Sequence, residues 1–385
     1  MGLKAIIKDS FLHMIRRPIY WVATLFVPLL SMFLLTDLMH DGLPTRIPAG
    51  IVDLDNSKMS RSIHQTIEGM QMVNIIDRYD SFSQARQMVQ NGEIFGFFFI
   101  PDNFQQELLS GRSPIISFYT NMTYYIPASL LYKTFKTTAL YAKANTAIKM
   151  LENTGASQTT IAPLIQPVNI SVRGLNNPET NYAIYLCNSF IPAMIQLMIF
   201  LTTSFSLSHR IKTGRSRLLM RYANGSIIKA VVGQLLPQTI IWWIIVIFMQ
   251  SWLFGWCGYP MNGSWIWLTL SQLLFVLASQ GFALFFTALL SNLRIAVSAS
   301  ALIGVLSFSV AAFSMPYESM YGAIGIFSWI LPTRYNFLIY IDQALNGIDI
   351  YYSRFYFAAY IVFIIAPFSI LWKLKKAYNN PIYIP

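Results

Sequence analysis

The chain has 385 residues, of which 55% are hydrophobic and only 11% charged, against roughly 25% charged in a soluble domain. So few charges do not solvate a surface of this size, and the high apolar content equally excludes disorder. A net charge of +11 would suit nucleic acid, but 28 Phe, 21 Tyr and 9 Trp beside so little charge point to lipid instead.

Residues 3–15 read as an amphipathic helix. Leu3, Ile6, Ile7, Phe11, Met14 and Ile15 share one face, opposite Lys4, Lys8 and Asp9, as suits a helix lying on a membrane surface. Six apolar runs then meet or approach the about 20 residues that a span needs: 20–36, 182–208, 230–256, 264–293, 295–317 and 355–372. None contains Asp, Glu, Lys, Arg or His. Lys4, Lys8, Arg16 and Arg17 precede the first run, as in a signal peptide. Its apolar core is long for a signal and no small-x-small site follows, so it reads as a span. Arg294 alone separates the fourth and fifth runs, which calls for a tight turn. The run at 319–331 is short for a span and fits an interfacial or re-entrant segment. The two cysteines, Cys187 and Cys257, are too few for a disulfide framework and read as apolar packing residues.

Between the first two spans lie soluble residues enough for one domain, about 37–181, in which strands alternate with helices. Strands are expected at 49–53, 72–77, 94–100, 114–120 and 168–173. Helices are expected at 59–70, at 83–90 behind a Ser81 cap, after an Asp102 or Asn103 cap as far as 110–111, and at 128–153 before a break at Gly155. Asp53, Asp55 and Asn56 suggest a cation site at first sight, but a strand-to-helix turn held by Asx side chains explains them better.

Lys and Arg concentrate on the cytoplasmic side of membrane proteins. With the N-terminus inside, the inner segments hold 14 basic residues and one acid, Asp9, a net +13. The outside keeps the other 13 basic residues and 15 acids, a net −2. Six spans then put both termini in the cytoplasm. The densest basic stretch follows the second span, from His209 to Tyr222. Contact with anionic lipid accounts for its charge. It leaves Leu218, Leu219 and Tyr222 unexplained, and these suggest a short amphipathic helix docking on a cytoplasmic partner.

No phosphate loop G-x-x-x-x-G-K-[ST] occurs, nor G-x-S-x-G, nor H-E-x-x-H, and the four His (13, 40, 64, 209) are scattered, so no metal cluster is expected. Spans without ionisable residues argue against an ion-coupled carrier, whose relays need them. The energy source is expected outside this chain.

The chain resembles a permease subunit of an ATP-binding-cassette exporter, type-2 class, with a large extracytoplasmic domain after the first span. Ile51-Val52-Asp53-Leu54-Asp55-Asn56-Ser57 followed by Ser60-Arg61-Ser62 is similar to that family's V-D-x-D-x-S…S opening. Ala85-Arg86 through Asn91-Gly92-Glu93, Gly96 and Ile100-Pro101-Asp102-Asn103-Phe104 resembles its A…G-x-x-x-G…I-P-x-x-F stretch. Ser110-Gly111, Pro114, Asn177-Pro178, Leu331-Pro332-Thr333 and Gly347 follow in order.

The resemblance implies an α-helical polytopic membrane protein of six spans with an inserted α/β extracytoplasmic domain. Its segments are 1–36 (surface helix and first span), 37–181 (outer domain) and 182–385 (five further spans, a cytoplasmic coupling loop at 209–229 and an outer re-entrant or interfacial segment at 318–353). It implies an inner-membrane exporter of an amphipathic, drug-like or lipid-like substrate. The chain itself would hold no cofactor and do no catalysis, ATP and Mg belonging to a partner ATPase. Expected partners are cytoplasmic ABC ATPase subunits, a second copy or a paralogous permease, membrane lipid and a periplasmic adaptor, with no nucleic acid. Arg210, Lys212, Gly214, Arg215, Arg217, Leu218, Leu219 and Tyr222 would then form the ATPase-coupling element. The family usually carries glutamates around the glycine that Gly214 matches, whereas no acid occurs here between 209 and 229. The partner's groove is therefore expected to be acidic. Two other readings are a membrane scaffold or receptor whose outer domain binds a partner, and a secondary carrier.

Overall fold

The computed structural model describes residues 2–40, 42, 44–110, 112, 114–153, 177, 181–313 and 315–381, with backbone alone over 142–153. In chain order the helices are α1 (Leu3–Ile15), α2 (Pro18–Leu38), α3 (Lys58–Glu68), α4 (Phe82–Asn91), α5 (Phe104–Leu109) and α6 (Tyr125–Asn153). There follow α7 (Tyr182–Lys212), α8 (Ser216–Tyr222), α9 (Ile227–Trp256), α10 (Trp265–Leu290) and α11 (Leu293–Val310). Last come α12 (Gly322–Ser328), α13 (Pro332–Ile339), α14 (Ile350–Ser369) and α15 (Leu371–Asn379). The strands are β1 (Ile47–Asp53), β2 (Val73–Tyr79), β3 (Gly96–Ile100) and β4 (Ser117–Thr120). The chain divides into two compact units, Leu43–Arg173 and the remainder.

In the unit Leu43–Arg173 the strands form one sheet in the order β2-β1-β3-β4, with β1 parallel to β2 and β3, and β4 antiparallel to β3. Ile51, Val52, Phe98 and Ile100 are fully buried, as strands covered on both faces require. Gly50 is forced by packing, because a Cβ there would lie 2.5 Å from the Tyr79 ring. Ser57 and Ser81 cap α3 and α4, accepting from Ser60 N (3.1 Å) and Gln84 N (3.3 Å), and Gly92 closes α4 at φ +79°.

Asp53 is the turn residue at the end of β1. Its Oδ1 accepts from Asp55 N and Asn56 N (3.1 and 3.0 Å), its Oδ2 accepts from Ser60 Oγ (2.7 Å), and Arg78 lies 3.6 Å away. Neither Asp102 nor Asn103 caps α5 through its side chain. Asn103 instead takes a left-handed conformation, φ +57°, that turns the chain into the helix. The strand expected at 168–173, the break at Gly155 and Pro178 lie outside the described residues.

In the other unit, α2, α7, α9, α10, α11 and α14 are each long and apolar enough to cross a membrane. α7 is central and packs along α11, α10 and α2. Small residues let helices approach, as membrane packing favours: a Cβ on Gly304 of α11 would meet Leu197 of α7 at 2.4 Å. Neutral polar pairs tie the interior. Gln196 Nε2 donates to Ser307 Oγ (3.1 Å), Thr287 Oγ1 to Ser204 Oγ (3.1 Å) and Gln272 Nε2 to Asn336 Oδ1 (2.9 Å). In hydrocarbon a polar group gains from a protein partner, and here the Gln196 and Gln272 amide N–H groups and the Thr287 hydroxyl each find one.

The helices and the apolar runs differ at their ends. α11 stops at Val310 because Ala312 turns left-handed (φ +63°) and Phe313 folds back onto Phe190 and Phe337. The turn before α11 is made by Ser291, at φ +42°, and Asn292. The Asn292 carboxamide caps Arg294 N, so Arg294 lies inside the helix rather than at the turn. α14 starts at Ile350 under an Asp349 cap, which brings Arg354 into the helix. Read by helix, only α10 lacks ionisable residues. Asp37, the 209–212 cluster, Lys229, Arg294 and Arg354 all sit near helix ends. Long side chains there reach the interface, so the helices outrun the apolar runs without placing charge mid-span. Cys187 is buried, Cys257 half-buried, and both are free thiols.

Candidate functional site

The basic segment after α7 forms a hairpin of helices. α7 ends at Lys212, and Gly214 sits at φ +69°, where a side chain would be strained. α8 then runs over Ser216–Tyr222, and Asn224 (φ +51°) and Gly225 (φ +77°) turn the chain into α9 under a Ser226 cap. The seven-residue α8 is far too short to persist in isolation. Its inner face holds it: Leu219 and Met220 are buried in a cluster with Ile6, Leu207, Ile211, Leu374 and Tyr378, and Tyr222 packs at the edge. Two side chains pin it to α15, Ser216 Oγ donating to Tyr378 O and Arg217 Nε to Asn379 O, both at 3.0 Å.

The eight residues singled out by sequence therefore divide. Leu219 and Arg210 point inward, Tyr222 is half-buried, and Lys212, Gly214, Arg215, Arg217 and Leu218 lie on the surface. Arg221 is a further exposed cation on α8. The outer face of the turn is thus a basic knob around one glycine and one exposed leucine. Arg215 stands at the N-terminal end of α8, where the helix dipole adds to its positive potential.

Arg210 does something different. It is 1% exposed, and its Nη1 lies 2.6 Å from Oδ2 of Asp9 on α1. Desolvation makes an unpaired buried guanidinium costly, so Asp9 is needed where it stands. Next to this pair the rings of His13 and His209 lie 5.7 Å apart, His209 stacked on Phe205 and His13 edge-on to Tyr20. Two of the four histidines are therefore brought together. Burial first, then the charges of Arg210, Arg17, His209 and Arg215, hold the His13 imidazole down at about 4. The α1 backbone is seated on α9 at Gly233, where a Cβ would meet Ile6 Cγ2 at 2.8 Å. On α1, Ile6, Ser10 and Met14 are buried, while Leu3, Phe11 and Ile15 of the expected apolar face stay exposed. α1, α8, α15 and the ends of α7 and α9 thus form one interlocked group.

Sequence reasoning missed the inward turn of Arg210 and the histidine pair. The available signal was Asp9, the lone acid among fourteen basic residues of the same charge group. Among the described residues no three His, Cys, Asp or Glu side chains gather to hold a metal ion.

Residues 18–372 match the family described as ABC-2 family transporter protein. No curated protein matches the chain. The match extends from α2 through the inserted sheet to α14, and the family is a membrane transport component that works with an ABC ATPase subunit rather than an ATPase itself. The chain belongs to the ABC-2 transporter family, as a multi-pass permease component of an ABC transporter.

Proposed function

We propose that this permease exports an amphipathic, drug-like or lipid-like substrate from the cytoplasm or inner leaflet, and that the knob around Gly214 is where a cytoplasmic ATPase pushes. Two permeases, identical or paralogous, pair with two ATPases. The chain lies in the inner membrane with both termini and α8 in the cytoplasm, and the sheet unit lies outside, where it guides substrate or docks a periplasmic adaptor. The charge asymmetry of +13 against −2 supports this orientation.

One observation carries the coupling role. α8 is pinned on its inner face to α1, α9 and α15, while Lys212, Arg215, Arg217 and Leu218 face outward. A force on the outer face is then passed to the ends of α7 and α9 as a rigid-body motion, because the packed inner face does not yield. Arg210 and Leu219 act here as positioning residues. The expected partner surface is acidic, since the knob carries no acid to meet a basic one.

The test is Arg215→Glu with Arg221→Glu, which leaves the Arg217 bond to α15 intact, in the full-length protein, read as ATPase co-purified from membranes. Association should fall by an order of magnitude or more while insertion and thermal stability hold. Undiminished association would overturn the assignment.

A further inference from the structure

The first membrane-crossing helix, α2, carries a groove that the transport reading does not use. Its second turn is wound as a wide π turn over Val22–Phe26, and Pro28 follows. A π turn spreads neighbouring side chains and is often kept for binding. Here Trp21, Leu25, Phe26, Leu29, Leu30 and Phe33 line a shallow, open apolar groove along one face of the helix. Phe26 is 61% and Leu30 49% exposed, so the groove opens away from the other helices of this chain.

At one end of this groove the chain bends between α1 and α2 through Arg16 and Arg17. Trp21 Nε1 donates to Ile15 O (2.9 Å), which holds the indole at the mouth of the groove against that bend. Tryptophan with basic neighbours is the residue set of a membrane–water interface. Arg16 is exposed and Arg17 half-buried, and neither has a carboxylate partner among the described residues. The nearby acid of α1, Asp9, is committed to Arg210.

Apolar groove and cation pair together select the ligand. A free anion would leave the groove empty. A neutral lipid would leave the cations unmatched. We propose that the bend and α2 form a binding site for an anionic diacyl phospholipid, its phosphate on Arg16 and Arg17 and one acyl chain in the groove from Trp21 to Phe33. The site goes beyond the transport reading and does not depend on the ATPase partner or on which way the chain crosses the membrane.

The experiment uses full-length protein reconstituted into phosphatidylcholine bilayers. Phosphatidylglycerol brominated near the carbonyl end of its acyl chains is titrated in, with brominated phosphatidylcholine as the reference. Tryptophan quenching in the protein minus that in Trp21→Phe isolates the Trp21 signal. Half-quenching of Trp21 is expected at a phosphatidylglycerol fraction on the order of tenfold lower than for phosphatidylcholine. Arg16→Gln with Arg17→Gln should abolish the difference, and Arg16→Lys with Arg17→Lys should keep it. Quenching that follows bulk mole fraction equally for both headgroups, or a preference that survives Arg16→Gln with Arg17→Gln, would overturn the site and leave lipid there as solvent only. ATPase co-purification in the same variants reports separately on the coupling proposal.

Discussion

Asp9 and Arg210 show how one pair can be asymmetric. Arg210 is 1% exposed, whereas the Asp9 side chain keeps 37% of its surface. Asp9→Asn strands a buried cation, and breaking a fully buried pair costs about 3–5 kcal/mol, somewhat less here because water reaches Asp9. Arg210→Met removes the buried charge and leaves a carboxylate that can hydrate. Thermal unfolding in detergent should therefore place Asp9→Asn below both Arg210→Met and the double variant, and equal losses for the two single variants would contradict the asymmetry. His13 gives a pH dependence at the same spot. Its native value, about 4, lies below the ordinary 6.5, so the unfolded chain binds the proton more readily between those limits. Stability should fall as pH falls from about 6.5 towards 4, and His13→Gln should flatten that slope. A slope unchanged in His13→Gln would assign it to other groups.

At the scale of elements, local signals were legible and long-range ones were not. Ser81 and the Asp53 turn could be read because each acts on backbone within a few residues. The end of α11 could not, because Phe313 folds back onto residues of α7 and α13 that lie far off in the chain. α8 was legible as a short helix, but its apolar residues were expected to meet a partner, and Leu219 instead meets Ile6 and Leu374 of its own chain. α1 depends on such a long-range fit. Gly233→Ala would drive a Cβ into Ile6 Cγ2 and Cβ, neither of which can swing away, at a cost of about 1–3 kcal/mol. The variant should lower the unfolding temperature and open α1 to protease. Protection that is never lost would mean that α1 is not seated there.

For the whole molecule, the proposed orientation places α8 and the sheet unit on opposite sides of the membrane. In a Cys187→Ala, Cys257→Ala background, Arg215→Cys and Ser62→Cys should react with an impermeant maleimide from opposite faces of intact cells and inverted vesicles. Labelling of both from one face would refute the topology. The hydrophobic runs by themselves determined six helices long and apolar enough to cross a membrane, with an α/β insert after the first, because burying an uncharged helix in lipid depends on its own residues alone. Tertiary structure decided which basic residues face out. Arg210 turns inward and Arg215 outward within one basic cluster, because Asp9 of α1 and Tyr378 and Asn379 at the other end of the chain fold against it. Burial of a charge depends on a partner distant in sequence, and no local pattern encodes where that partner will lie.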